Sequence, residues 1–138
     1  MGRILAIDYG RKRVGLAVTD PLRIISSPLA TVKASETEAF LTDYLKKEVV
    51  DEFVVGYPVQ MNNKPSEAVK YIDPFLKRLE KLFPGKAVHL ADERFTSKMA
   101  FRAMIDAGAG KKERMDKSIV DRISASIILQ SFLQKWKI

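Results

Sequence analysis

The chain has 138 residues, no cysteine, and 24 lysines and arginines against 17 acids, a formal net charge of +7 at pH 7. That length suits one domain with a core of its own, and the lack of cysteine excludes disulfides, thiolate zinc sites and cysteine nucleophiles. No apolar run approaches a membrane span, and the cationic surplus favours a polyanionic partner such as nucleic acid.

Ile4-Leu5-Ala6-Ile7 is an apolar run of the kind that makes a buried strand, and it ends in Asp8. Residues 3–9 and 13–20 read as a hairpin of two strands, with Arg11 and Lys12 at the turn. A third strand is expected over about 27–32. Ser35 with Glu38 three residues later is a capping-box pattern, so a helix is expected from there to about Val49. Phe53-Val54-Val55-Gly56 reads as a buried strand stopped by Tyr57-Pro58. Residues 59–64 form a polar loop, and Pro65 suits the first turn of a helix whose apolar face is Ala68, Tyr71, Ile72, Phe75, Leu76 and Leu79. That helix ends before Pro84-Gly85. Ala87-Val88-His89-Leu90-Ala91 is a further buried strand, leading to Asp92-Glu93-Arg94. Thr96 or Ser97 caps a helix to about Ala107, residues 107–117 are small and charged like a loop, and a last helix spans about 118–135. Strands first, then strands alternating with helices, make one α/β domain over residues 1–138, with a mixed central β-sheet flanked by α-helices. No charged-then-apolar leader precedes the first strand, so a cytoplasmic protein is expected.

Three acids stand out. Asp8 alternates with Ile4 and Ala6 on a face that should be covered, where a carboxylate is costly unless a cation meets it. Gly10 and Gly15 allow close backbone approach, and Arg11-Lys12-Arg13 suit a phosphate chain. Glu93 ends another buried strand. An ion pair with Arg94, or a place in the first turn of the next helix, would explain it alone. Next to Asp8, at the end of an adjacent strand, a shared site explains it better. Asp121 begins the stripe Ala125, Ile128 and Phe132, yet Ser118-x-x-Asp121 also resembles a capping box. Spacing leaves both roles open. His89 reads as a satisfied core histidine, and Tyr57, Phe95 and Trp136 read as packing residues.

Carboxylate clusters suit hard cations, and Mg2+ takes one or two carboxylates with phosphate and water. Two such ions, about 3.5–4 Å apart, activate water and stabilise the leaving oxygen of a phosphodiester. Three acids, with Asp8 as the bridge, are a sensible minimum for that pair.

Four segments resemble a known family. They are Asp8-Tyr9-Gly10-Arg11-Lys12-Arg13-Val14-Gly15-Leu16-Ala17, Gly56-Tyr57-Pro58, Asp92-Glu93-Arg94-Phe95-Thr96-Ser97, and Val120-Asp121-Arg122-Ile123-Ser124-Ala125-Ser126-Ile127-Ile128-Leu129-Gln130. In this order they resemble the YqgF family of pre-16S rRNA nucleases, relatives of the Holliday-junction resolvases in the ribonuclease H-like superfamily. The resemblance implies a ribonuclease H-like fold with catalytic, metal-holding acids at Asp8, Glu93 and Asp121. It also implies processing of the 5′ end of precursor 16S rRNA during ribosome biogenesis. The sequence departs from the pattern in a short loop at Met61-Asn62-Asn63-Lys64 and in Ser124, where alanine is usual.

The expected protein is therefore a hydrolase, a nuclease using Mg2+ or Mn2+, with two ions expected. Arg11, Lys12, Arg13, Arg94 and Lys98 would contact the nucleic-acid backbone, and the segment bearing Lys111, Lys112 and Arg114 would close over substrate. The alternatives are a resolvase-type endonuclease on branched DNA and a non-catalytic RNA-binding assembly factor on the pre-ribosomal particle. No membrane is expected as partner, and the sequence admits a monomer or a homodimer, the latter through Ile119, Ile123 and Ile127 on the last helix.

Overall fold

A computed structural model describes residues 2–57, 67–92 and 117–136. In chain order the elements are β1 (Arg3–Tyr9), β2 (Arg13–Thr19), β3 (Ser26–Lys33), a 3-10 turn (Ala34–Glu36), α1 (Thr37–Lys47), β4 (Val50–Tyr57), α2 (Val69–Leu82), β5 (Ala87–Asp92) and α3 (Lys117–Trp136). The strands form one sheet in the order β3-β2-β1-β4-β5. β1, β2 and β3 run antiparallel as a meander, while β4 and β5 extend the sheet parallel to β1. The α/β class with a mixed central sheet is as the strand and helix pattern predicts.

Side-chain alternation divides the core in two. Leu5, Ile7, Val14, Leu16, Phe53 and Val55 face α1 and α2, where Leu41, Ile72, Phe75 and Leu79 are fully buried against them. Ile4, Ala6, Ala17 and Val54 face α3 and pack under Ala125, Ile128, Leu129 and Leu133. Ala6 and Ala17 keep the middle of the α3 side of the sheet low. That lets the helix lie close, chiefly on β2 and β3, and Ser26 ties β3 to it by donating to the Ser126 carbonyl at 2.9 Å. Among the described residues, no helix is long and apolar enough to cross a membrane.

Several boundaries differ from expectation. Ser35 does not cap α1: β3 runs on to Lys33, the Ala34 amide donates to the Lys12 carbonyl at 2.9 Å, and the chain tightens into the 3-10 turn. The helix starts at Thr37, whose hydroxyl donates back to the Lys33 carbonyl at 3.2 Å. It stops at Lys47, short of Val49, because Val50 already belongs to β4. Pro74 lies inside α2, where it has no N–H for the preceding turn. The burial of Ile72, Phe75 and Leu79 holds the helix together across it. Lys117 is the first residue of α3 rather than the end of a loop. Residues 59–64, Pro65, and the helix expected from Thr96 or Ser97 to Ala107 lie outside the described residues, as does 107–116.

At the far end of the sheet, Arg23 adopts φ 59°, the left-handed region that costs an L-residue about 1–2 kcal/mol. Its guanidinium explains why. It donates to the Gly2 carbonyl at 2.9 Å, to Glu52 Oε2 at 2.6 Å and to Asp51 Oδ2 at 3.2 Å. The Asp20 carboxylate completes the loop by accepting from the amides of Ile24 and Ile25, both at 2.8 Å. Those bonds, chiefly that from Ile25, hold its carboxyl below the ordinary aspartate value. The contribution of Asp20 is therefore intact at neutral pH and is lost as the pH falls through that lowered value. Both Arg23→Ala and Arg23→Gly should lower stability by about 1–3 kcal/mol through the lost charged bonds. The glycine variant should be the more stable of the two by about 1 kcal/mol, since it removes the left-handed cost. Thermal melting of the three proteins checks this, and an alanine variant melting above the glycine variant would contradict it.

Candidate active site at the C-terminal edge of the sheet

Asp8 continues the Ile4 and Ala6 stripe of β1 onto the α3 side, half-buried at the strand's C-terminal end. Its cross-strand partner is Gly15 of β2, and directly opposed residues in an antiparallel pair point to the same face. Gly15 is where α3 comes closest. A Cβ there would run into the carbonyl group of Asp121 and stand 3.1 Å from the Arg122 amide nitrogen. The glycine is thus required by approach, not by a turn, and it brings Asp121 onto the same small area as Asp8. The helix stripe settles the rest: Ala125 and Ile128 are buried against the sheet, so the stripe that begins at Asp121 is the one that faces it.

The Asp121 carboxylate accepts through Oδ2 from Arg13 Nε at 3.0 Å. Arg13 shares the face of Gly15 and Ala17 by alternation. It is held at the site, whereas Arg11 and Lys12 stand exposed at the turn, which closes by a 2.9 Å bond from the Gly10 amide to the Arg13 carbonyl. One guanidinium does not exhaust a carboxylate, which has two oxygens and about four lone-pair sites. Asp8 and Asp121 are therefore hard oxygen donors of the kind Mg2+ and Mn2+ take.

Among the described residues, the neighbouring strands carry small side chains at this corner. The register pairs Ile7 with Val55 and Gly56 with Ala91, so the residues following Ile7 and Val55 are Asp8 and Gly56. Gly15, Gly56 and Ala91 thus leave little side-chain bulk beside the carboxylate on either hand. β5 ends at Asp92, in register with Tyr57; contrary to the sequence reading it is an edge strand with Leu90 exposed, and β4 separates it from the strand of Asp8. Glu93, Arg94, Lys98, Lys111, Lys112 and Arg114 lie outside the described residues. Among the described residues no three acids or histidines gather as a metal site, so the described part of the candidate centre is the pair Asp8 and Asp121.

His89 is satisfied, as its strand position suggests, though at the sheet's edge rather than deep in the core. Its Nε2 lies 2.9 Å from Glu52 Oε1, and its ring packs on Phe132 with centroids 4.9 Å apart. Tyr57 donates its hydroxyl to Asp73 Oδ1 at 3.0 Å, tying the end of β4 to α2. The sequence offered no sign of the Arg13–Asp121 pair, because 108 residues separate the partners.

A family model described as RuvX, Holliday junction resolvase, matches residues 2–135. The chain belongs to the RuvX family. This is a family of nucleases, and membership bears out the resemblance read from the four motifs. A protein of Porphyromonas gingivalis named "Putative pre-16S rRNA nuclease" is 55% identical over 133 residues, 96% of each chain. Its namesake in Parabacteroides distasonis is 52% identical over 137 residues, covering 99% of this chain and 98% of its own. Among solved structures, the fowlpox virus resolvase bound to Holliday junction DNA shares the fold with a TM-score of 0.63 at 12% identity, over 99% of each chain. RuvC of T. thermophilus bound to a Holliday junction substrate gives 0.55 at 15% identity, over 99% of this chain and 97% of its own. These likenesses show that the RuvX sheet and helices have the resolvase-like, ribonuclease H-like arrangement.

Proposed function

We propose that this RuvX-family chain is a cytoplasmic, divalent-metal-dependent nuclease that hydrolyses phosphodiesters in structured RNA, with precursor 16S rRNA as its substrate. The observation that supports the reading is the seating of the Asp121 backbone on Gly15, the cross-strand partner of Asp8, which lies 113 positions before Asp121 in sequence. The names of the relatives at about half identity support the choice of RNA.

In this reading Asp8 and Asp121, with Glu93, hold Mg2+ or Mn2+. Held by these carboxylates, the ion would supply Lewis acidity for a water nucleophile and for the charge on the leaving oxygen. The remaining work falls to the chain's own residues. Arg13 fixes the rotamer of Asp121 and offsets part of the negative charge while no phosphate is bound. Arg11 and Lys12, exposed at the turn beside Asp8, meet the phosphate backbone. Arg94, Lys98, Lys111, Lys112 and Arg114 add cations from the rest of the motif and its flanking segment. Such contacts make affinity fall steeply with salt.

The test is cleavage of a precursor 16S rRNA fragment, with a four-way DNA junction run in parallel. Cleavage of the RNA in Mg2+ or Mn2+, lost on chelation and restored by adding the ion back, is the expected result. Cleavage that persists in chelator would overturn the metal requirement. Cutting of the junction with the RNA left intact would move the chain to branched DNA.

A further inference from the structure

On the opposite side of the β1–β2 turn from the acids lies a cleft of about 440 Å³, lined by Arg11, Glu67, Lys70 and Tyr71. We propose that this cleft is a nucleotide subsite, in which a base of a single-stranded segment stacks on Tyr71 and its phosphate lies between Arg11 and Lys70. The proposal rests on the nuclease reading for its place in the reaction, though not for its chemistry.

Size, surroundings and position support it. The volume falls within the roughly 300–1,000 Å³ typical of small-molecule sites. An aromatic face beside paired cations is the recurring device for unpaired nucleotides, because every base has a π-face and every nucleotide a phosphate. Tyr71 is a braced platform. Its ring lies 6.2 Å from that of Tyr9, which in turn stacks on Phe75 at 4.2 Å, and both Tyr9 and Phe75 are buried. The one acid in the lining is engaged weakly. Glu67 meets Lys70 at 3.5 Å, with both side chains more than three-quarters exposed, and such pairs contribute little and exchange readily. Glu67 also repels phosphate, so a phosphate between Arg11 and Lys70 displaces it from Lys70. Arg11 is three residues after Asp8, so their backbones are within roughly 11 Å. A strand whose scissile phosphate lies at Asp8 therefore reaches the cleft with a neighbouring nucleotide. β1 presents Asp8 to one face of the sheet and Tyr9 to the other, so the turn is the ridge over which that strand passes.

The experiment measures binding of short fluorescein-labelled single-stranded RNAs to the full chain in chelator, where cleavage is silent. A set of RNAs carrying one abasic ribose at each successive position accompanies the intact one. Tyr71→Ala should weaken binding of intact RNA by at least about tenfold, while Tyr71→Phe binds like wild type. At one position the abasic RNA should weaken wild type to the same degree and leave Tyr71→Ala unaffected. Arg11→Ala and Lys70→Ala, both at exposed positions, should each reduce the salt dependence by about one unit of slope. Wild-type affinity in a folded Tyr71→Ala protein would overturn the proposal, as would equal losses for Tyr71→Phe and Tyr71→Ala. If Tyr71→Ala fails to fold, unchanged affinity in both cation variants would overturn it instead. Binding that depends on Tyr71 without metal-dependent cleavage would refute the nuclease reading alone. Cleavage with binding indifferent to Tyr71 would refute the subsite alone.

Discussion

Asp8→Asn is expected to leave the fold intact and to lower metal-dependent cleavage by more than about a hundredfold. Losing a partner in the outer shell of a metal site costs about 10–100-fold, and an acid that touches the ion should cost more. The substitution conserves volume at the end of a strand, outside the buried clusters, so the loss should appear in turnover and not in yield or melting. Metal binding supplies an independent readout. An ion that binds only the folded protein stabilises it by about 2.7 kcal/mol at a hundred times its dissociation constant. The wild type should therefore melt higher as Mg2+ or Mn2+ is added, and Asp8→Asn should not. Cleavage by the variant at the wild-type rate would remove Asp8 from the centre. A metal shift that survives the substitution would place the ion elsewhere.

Much of the fold could be read from the sequence because its strands are short apolar runs with clear stops, and hydrophobic alternation needs no knowledge of partners. The hairpin of β1 and β2 lies within a residue of where the apolar runs and the Gly10–Lys12 turn place it. The capping box at Ser35 failed for a reason local pattern does not carry. β3 pairs with β2 as far as Lys33, opposite Arg13, and that register decides where α1 can begin. The candidate site divides in the same way. Asp8 stands out as a candidate because a charge at the end of a buried run is anomalous within a few residues. Asp121 was undecided by spacing, since a cap and a site acid look alike on one helix. The contact of Asp121 with Gly15, more than a hundred residues away in sequence, supports the site reading and is invisible to local spacing. In sequence Arg13 looks like one of three equivalent cations, yet strand alternation sends it to the α3 face and onto Asp121, while Arg11 and Lys12 stay at the turn. The helical spacing of Tyr71 predicts a core residue. It is core on the side that meets Tyr9, and cleft lining on the other.

The same contact yields the second large effect. Gly15→Ala introduces a Cβ where the Asp121 carbonyl group already stands, and both the strand and the helix backbone are held by their own hydrogen-bond ladders. Rotamer changes cannot relieve a clash between a Cβ and a backbone, so α3 must lift or slide at its N-terminal turns. Overpacking of a close-packed interface costs typically about 1–3 kcal/mol. Displacing Asp121 relative to Asp8 by about 1 Å can cost around a hundredfold in rate. Gly15→Ala should therefore melt lower than wild type and, at a temperature where it is fully folded, cleave about a hundredfold more slowly. Gly85→Ala separates the two effects. Gly85 has φ +88° with open space around the position of a Cβ, so alanine there is strained and destabilising but touches nothing at the site. Its cleavage per folded molecule should stay at the wild-type level. If Gly15→Ala and Gly85→Ala lose stability alike and both keep full activity, then α3 does not deliver Asp121 to the centre, and the acid beside Asp8 must come from another part of the chain.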